Sequence, residues 1–371
     1  PSKKYSVQEK EMKLEAVSKG KYEHYMLKEI FEQPELVGKL YSIYNSESMK
    51  EKLASMTSTK PEMMHIIACG TALHAGMLVK NFLERKNKIR VNSDFASEFR
   101  YKDPLIGPKD IGLFISQSGE TADTLACQEL CSQNKIKTFS MVNVEGSTLF
   151  RNCDFNLLLH GGVEIGVAST KAFTQMVLSG YLLSKAYSGE IDSIETAKEF
   201  QNTSKAILKI LAREEEIKNI AGEIFNYKGF IFTGRRDQYP ISLEGALKLK
   251  EIAYVHAEGY AAGELKHGPI ALFDESMVNI AIVTKDLYEK TLSNAQEVKA
   301  RKGIMVILGE NHNRDLKDIA DHYFDIDFCG ITDLRPIVTN VVLQLLSYHI
   351  AKYKGTDIDK PRNLAKSVTV E

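Results

Sequence analysis

Two periods of hydrophobic and polar residues alternate along this chain, and their order predicts its architecture. Residues 63–68 form a short apolar run that ends in Cys69-Gly70-Thr71, and from residue 72 to 85 the apolar positions fall at helical spacing. The same strand, glycine turn and helix recur at 111–115, through Ser116-Gln117-Ser118-Gly119-Glu120-Thr121 into a helix after Ala122. Residues 138–142 and 155–159 read as further strands, and 170–187 as a long helix. Short apolar strands separated by helices imply an α/β fold, with a parallel sheet covered on both faces. Ahead of this, residues 1–60 read as helices with interleaved Lys and Glu. One covers about 22–33, and Pro34 opens another that runs to 44.

The second half repeats the first. The runs at 229–234, 278–283, 304–308 and 324–328 echo the four strands, and 335–353 echoes the long helix. The offset of about 165 residues is that of a duplicated domain rather than a solenoid unit. The expected division is a helical segment at 1–60, a first domain at 61–189, a helical linker rich in Lys and Glu at 190–225, a second domain at 226–355 and a tail at 356–371. Each domain is expected to be a doubly wound parallel sheet flanked by helices, with ligands at the carboxyl ends of the strands.

Composition narrows the function. With 371 residues, 43% hydrophobic and 26% charged, the chain is long enough for two domains and ordinary for a globular protein. A net charge of −1 gives no basic field for nucleic acid or an acidic membrane. No apolar run reaches the ~18–20 residues of a membrane span, and the charged N-terminus has no signal-peptide core. The five cysteines (Cys69, Cys127, Cys131, Cys153 and Cys329) fit neither a zinc pattern nor a disulfide framework. A cytoplasmic location with buried free thiols is expected.

Three stretches carry candidate chemistry. The turn from Ser116 to Thr121 gathers hydroxyls and backbone N–H groups between a strand end and a helix start, which suits a phosphate; N-capping by Ser118 or Thr121 is the alternative. It is not a Walker loop, and no G-x-G-x-x-G follows a strand. Ala168-Ser169-Thr170-Lys171 opens another helix with two hydroxyls, again open to a capping account. Around residues 240–252, where Pro240 and Ser242 mark a start, a helix places Glu244, Lys248 and Glu251 in one charged stripe on an otherwise apolar surface. That stripe is either a solvated set of ion pairs or a base and an ammonium lining a pocket. His267 follows between Lys266 and Gly268-Pro269. Cys69 reads as a buried structural thiol, and Lys366, alone in the tail, as solvated. The tail's Leu364, Ala365, Val368 and Val370 give it apolar groups with which to dock.

Taken in order, Cys-Gly-Thr at 69–71, Ser-Gln-Ser-Gly-Glu-Thr at 116–121, Glu-Ile-Gly-Val-Ala-Ser-Thr-Lys at 164–171, Leu-Glu-Gly-Ala-Leu-Lys-Leu-Lys-Glu at 243–251, Glu-Leu-Lys-His-Gly-Pro at 264–269 and Pro-Arg-Asn-Leu-Ala-Lys-Ser-Val-Thr-Val-Glu at 361–371 resemble one family. The chain is similar, over nearly its whole length, to the isomerase part of the glutamine:fructose-6-phosphate amidotransferases, two tandem sugar isomerase (SIS) domains. The resemblance implies that Ser116, Gln117, Ser118 and Thr121 hold a sugar phosphate, and that Thr71, Val167, Ser169 and Ala365 line the sugar pocket. It implies Glu251 as the base between C1 and C2, Lys366 as the Schiff-base lysine, Lys248 as a proton shuttle and Glu244 as its support. It also implies that His267 opens the sugar ring in the neighbouring subunit's pocket, and hence a homodimer. Neither metal nor organic cofactor is implied. Ala72 stands where many relatives carry Ser, which removes one hydroxyl. The family's glutaminase domain does not precede Pro1, so an excised fragment is expected, or else a stand-alone isomerase. Another phosphosugar isomerase or deglycase, or a non-catalytic sugar-phosphate sensor, are the rival readings.

Overall fold

The structure, a computed structural model, describes residues 18–310 and 314–369. The part of the helical expectation that falls on residues 1–17, and the tail's Val370, lie outside the described residues. The chain enters through α1 (Tyr25–Tyr44) and α2 (Glu47–Met56). The first sheet region then runs β1 (Met64–Ala68), α3 (Thr71–Asn87), β2 (Val91–Phe95), α4 (Ala96–Phe99), β3 (Ile111–Ser116), α5 (Ala122–Gln133), β4 (Lys137–Val142), α6 (Thr148–Asn152), β5 (Phe155–Leu158) and α7 (Lys171–Ser188). Two linking helices, α8 (Ile194–Leu211) and α9 (Glu214–Ile224), lead to the second. It runs β6 (Gly229–Gly234), α10 (Gln238–Ala253), β7 (His256–Ala261), two 3-10 turns (Ala262–His267 and Pro269–Leu272), β8 (Met277–Val283), α11 (Tyr288–Lys299), β9 (Ile304–Glu310), α12 (Arg314–Ile319), β10 (His322–Ile326) and α13 (Arg335–Lys354).

Both sheets are five-stranded and parallel, ordered β2-β1-β3-β4-β5 and β7-β6-β8-β9-β10, so the two halves share one wiring. This α/β architecture is the one expected from the repeated pattern. Strands β1, β3 and β6 are buried at every position, as strands covered on both faces must be. The edge strands β2 and β7 were not anticipated. Their sequences, Val-Asn-Ser-Asp-Phe and His-Ala-Glu-Gly-Tyr-Ala, are polar and only partly buried, so no apolar run announces them. Helix α3 packs on α7, α10 on α13, and α10 also touches α3, which joins the halves. One apolar core runs through both, from Ile66 and Leu113 to Phe230 and Ile280.

Pro34 does not divide the first helix, as the sequence reading had it. Helix α1 runs straight through it. Proline has no N–H to donate to the carbonyl four residues back, but the Gln33 side chain donates to that same Ile30 oxygen at 3.2 Å, so the missing bond is replaced. Both carboxylate oxygens of Asp359, beyond α13, accept from the start of α1, at Tyr25 N and Met26 N, each 3.0 Å away. The Asp359 carbonyl also accepts from Val167 N at 3.0 Å. One residue thus fastens the tail to α1 and to the loop before α7.

Candidate active site

A cleft of about 500 Å³ opens beyond the carboxyl ends of β1 and β3. The local sequence explains each wall. At the end of β1 the chain turns at Gly70, whose φ of +52° suits glycine, and delivers Thr71 to the cleft. At the end of β3 the turn to α5 delivers Ser116, Gln117, Ser118 and Thr121. Val167 and Ser169 come from the loop before α7, Glu251 from the last turns of α10, and Ala365 and Lys366 from the tail. Residues far apart in the chain therefore converge on one hollow.

Capping does not account for the hydroxyl turn. Thr121 occupies the N-cap position of α5, but its side chain caps nothing; it lies 3.0 Å from Ser116 Oγ. The Gly119 N–H donates to Ser116 Oγ at 3.0 Å and the Glu120 N–H to Ser118 Oγ at 3.2 Å, which fixes the turn around the helix start. Gly119 has φ +69°, and a Cβ there would stand 2.1 Å from Ser147 Oγ. Gly119→Ala is expected to destabilise the fold by more than about 1 kcal/mol, because alanine is strained at positive φ. It should also weaken inorganic phosphate binding; thermal melts and a phosphate titration check both.

The charged stripe of α10 is not solvated. Glu244 and Lys248 have fully buried side chains, and Glu251 is mostly covered. Lys248 Nζ lies 2.6 Å from Glu251 Oε2 and 3.4 Å from Glu244 Oε1, and donates to Thr71 Oγ1 at 3.1 Å. Glu244 takes a hydrogen bond from the Thr71 hydroxyl at 3.1 Å and faces His74 Nδ1 at 2.7 Å. Burial opposes the charge of Lys248, but the two carboxylates outweigh it and raise its pKa above the ordinary lysine value. Burial likewise disfavours the Glu244 anion, and Lys248 with His74 outweighs it to hold the carboxyl below the usual range.

Lys366 is held rather than solvated. Its Nζ donates to Glu164 Oε2 at 2.5 Å and to the Gly166 carbonyl at 2.8 Å. The tail around it is pinned where Ala122 N donates to the Val368 carbonyl at 3.2 Å and Arg362 N to the Tyr254 hydroxyl at 2.7 Å. Behind this loop sits Glu29 of α1, whose Oε1 accepts from Ile165 N at 2.5 Å and Gly166 N at 3.2 Å. Burial first, and then the charge of Glu164, push the Glu29 carboxyl up to about 7. A raised carboxyl stabilises the fold below its unfolded pKa, and that contribution is lost as pH rises through the folded value. Stability of the native chain is therefore expected to fall between about pH 5 and 8 by more than that of Glu29→Gln, read by thermal melts at both ends.

Cys69 is half-buried and lines the cleft rather than lying wholly in the core. Burial raises its thiol pKa, as it does for the buried Cys127, Cys131 and Cys153, so these are not activated thiols. His267 is exposed at the end of its 3-10 turn and is not among the residues lining its own chain's cleft. Sequence reasoning did not single out Glu164, Glu29 or His74. His74 was within reach, since it lies one helical turn after Thr71 on the same face. Glu164 lies too far ahead of α7 for a capping pattern, and nothing local marks Glu29.

A parallel-sheet pair with a hydroxyl-lined cleft at its strand ends defines the class. The chain belongs to the SIS domain family, whose model matches residues 59–186 and 223–352. It is similar to the glutamine–fructose-6-phosphate aminotransferase (isomerizing) of Bacteroides thetaiotaomicron, with 43% identity over 98% of this chain and 61% of that protein. The enzyme of the same description from Legionella pneumophila strain Paris is 44% identical over 96% of this chain and 60% of its own length. The chain thus spans about three fifths of these curated relatives. Among solved structures, the C-terminal domain of the glucosamine-fructose-6-phosphate aminotransferase from Francisella tularensis matches with a TM-score of 0.82 and 38% identity, over 93% of this chain and 99% of that one. Among the described residues no helix is long and apolar enough to cross a membrane.

Proposed function

We propose that this chain is the isomerase part of a glucosamine 6-phosphate-forming enzyme, acting on fructose 6-phosphate. The observation that carries the reading is the convergence of the Ser116–Thr121 turn, Glu251 and Lys366 on one cleft of sugar-phosphate size. Ser116, Gln117, Ser118 and Thr121, with the N–H groups that start α5, take the phosphate. Thr71, Val167, Ser169 and Ala365 surround the sugar. Lys366 condenses with the C2 ketone, Glu251 takes the C1 proton and returns it at C2, and Lys248, backed by Glu244, shuttles protons from behind Glu251. The chemistry consists of proton transfers and imine exchange and calls for no metal or organic cofactor.

The exposed position of His267 suits a homodimer in which the partner subunit's His267 opens the sugar ring. The similarity to the longer aminotransferases supports a glutaminase domain as the source of ammonia in the full-length enzyme, in the cytoplasm. The test is incubation of the chain with fructose 6-phosphate, with and without ammonium. Glucosamine 6-phosphate with ammonium supports the proposal. Glucose 6-phosphate alone under both conditions points to an isomerase without amination, and no aldose phosphate under either sinks the reading.

A further inference from the structure

We propose that Glu164 is the standing counter-ion of Lys366, pairing with it first as an ammonium and then as the protonated iminium of the bound ketose. The proposal rests on the imine chemistry above. Its support is the unusually complete surroundings of this carboxylate. The Glu164 side chain is fully buried. Its Oε1 accepts from Thr170 N at 2.9 Å and Ala172 N at 3.0 Å, the free N–H groups at the start of α7. Its Oε2 accepts from the Ser169 hydroxyl at 3.2 Å and from Lys366. Burial works against this anion, but the Lys366 ammonium and the N–H donors outweigh it and hold the carboxyl below its usual range.

Such a carboxylate keeps Lys366 protonated at rest, and the lone pair that attacks C2 is freed as one ammonium proton passes to the ketone oxygen, so no net proton is lost. An ammonium plus a ketone gives an iminium plus water, R–NH3+ + O=C → R–NH+=C + H2O. The C=N bond replaces C=O, two nitrogen protons leave with the oxygen, and the positive charge stays on nitrogen. A fixed anion beside that nitrogen therefore serves both states without moving. The charge matters for the next step. A protonated iminium withdraws electrons from C2 and acidifies the C1–H that Glu251 removes, whereas a neutral imine does so far less. The titratable neighbours agree with this role. Glu29 of α1, its carboxyl raised by burial, holds the loop, and Lys248 of α10 feels the charge of Glu164 from the far side. Glu164 acts through Lys366 and is a positioning residue.

The test uses the chain with fructose 6-phosphate and cyanoborohydride, with the reduced adduct weighed by mass spectrometry from pH 6 to 9 beside the kcat profile. An opposite charge within ~4–6 Å shifts a pKa by about 1–3, so the alkaline limb of kcat in Glu164→Gln is expected to move down by about 1–3 pH units with KM little changed. Its trapped yield is expected to fall with rising pH while the native yield stays level. Glu164→Asp, which keeps the charge, is expected to keep the native limb. An unmoved limb and equal trapping in Glu164→Gln overturn the counter-ion. An adduct that persists in Lys366→Ala overturns the imine reading itself, which separates the two failures. Should Glu164→Gln lose inorganic phosphate binding and so prove misfolded, the native chain decides. With 15N-lysine and fructose 6-phosphate, a protonated iminium nitrogen at pH 8 supports the proposal, and a neutral imine at pH 7 overturns it.

Discussion

Glu251→Gln is expected to lower the isomerisation rate by about 10²–10⁴-fold, the span typical of a lost general base. Sugar-phosphate binding should stay close to the native value. The argument is geometric. Glu251 is the carboxylate of α10 that reaches the cleft, while Glu244 on the same face is sealed below it. Glutamine keeps the volume and one acceptor oxygen but loses the negative charge, and with it both the ability to take a proton and the ion pair to Lys248. The proposed phosphate site lies in a different element, the turn after β3, which the change does not alter. Steady-state rates together with a binding titration check this, and turnover that survives the substitution places the base elsewhere.

Lys248→Met carries the second large effect, on stability. Removing the ammonium leaves the fully buried Glu244 with only Thr71 and His74 as partners, and leaves Glu251 without its 2.6 Å ion pair. Breaking a buried pair in this way typically costs about 3–5 kcal/mol, because the remaining charge is uncompensated. The pH dependence has a definite sign. The lowered Glu244 carboxyl contributes stability above its unfolded pKa and loses it as pH falls through the folded value. Without Lys248 that lowering disappears, so the penalty is largest near neutrality and shrinks in acid. Urea unfolding at pH 7 and pH 4.5 reads both numbers. Adding Glu244→Leu should return part of the loss, and an equal penalty at both pH values would contradict the account.

Much of the fold was legible because interior parallel strands have to be apolar along their whole length. Ile66-Ile67 in β1, Phe230-Ile231-Phe232 in β6 and the matching second-half runs announced both sheets and their duplication. The edge strands stayed hidden because Asn92, Ser93 and Asp94 face partly into solvent and read as a loop. Pro34 misled for a different reason, since the side chain that compensates for it, Gln33, acts through a bond no local rule anticipates. In the site, the Ser116–Thr121 turn could be read directly as a cleft-lining candidate because its hydroxyls are contiguous. Lys366 could not, because a lysine in a tail looks solvated until the fold brings the tail back, and only the family resemblance marked it. Glu29 and Glu164 act on the site through contacts spanning 136 and 202 residues, a reach at which sequence pattern carries no signal.

The double grip of Asp359 on α1 and on the Val167 N–H sets the point from which the end of the chain is hung over the cleft. Beyond that anchor the final stretch crosses to the cleft and is tied down again at Arg362, Lys366 and Val368. The seat of Lys366 is thereby fixed from both sides, by Asp359 before it and by the bond from Ala122 to Val368 after it, and neither sheet bears on it directly.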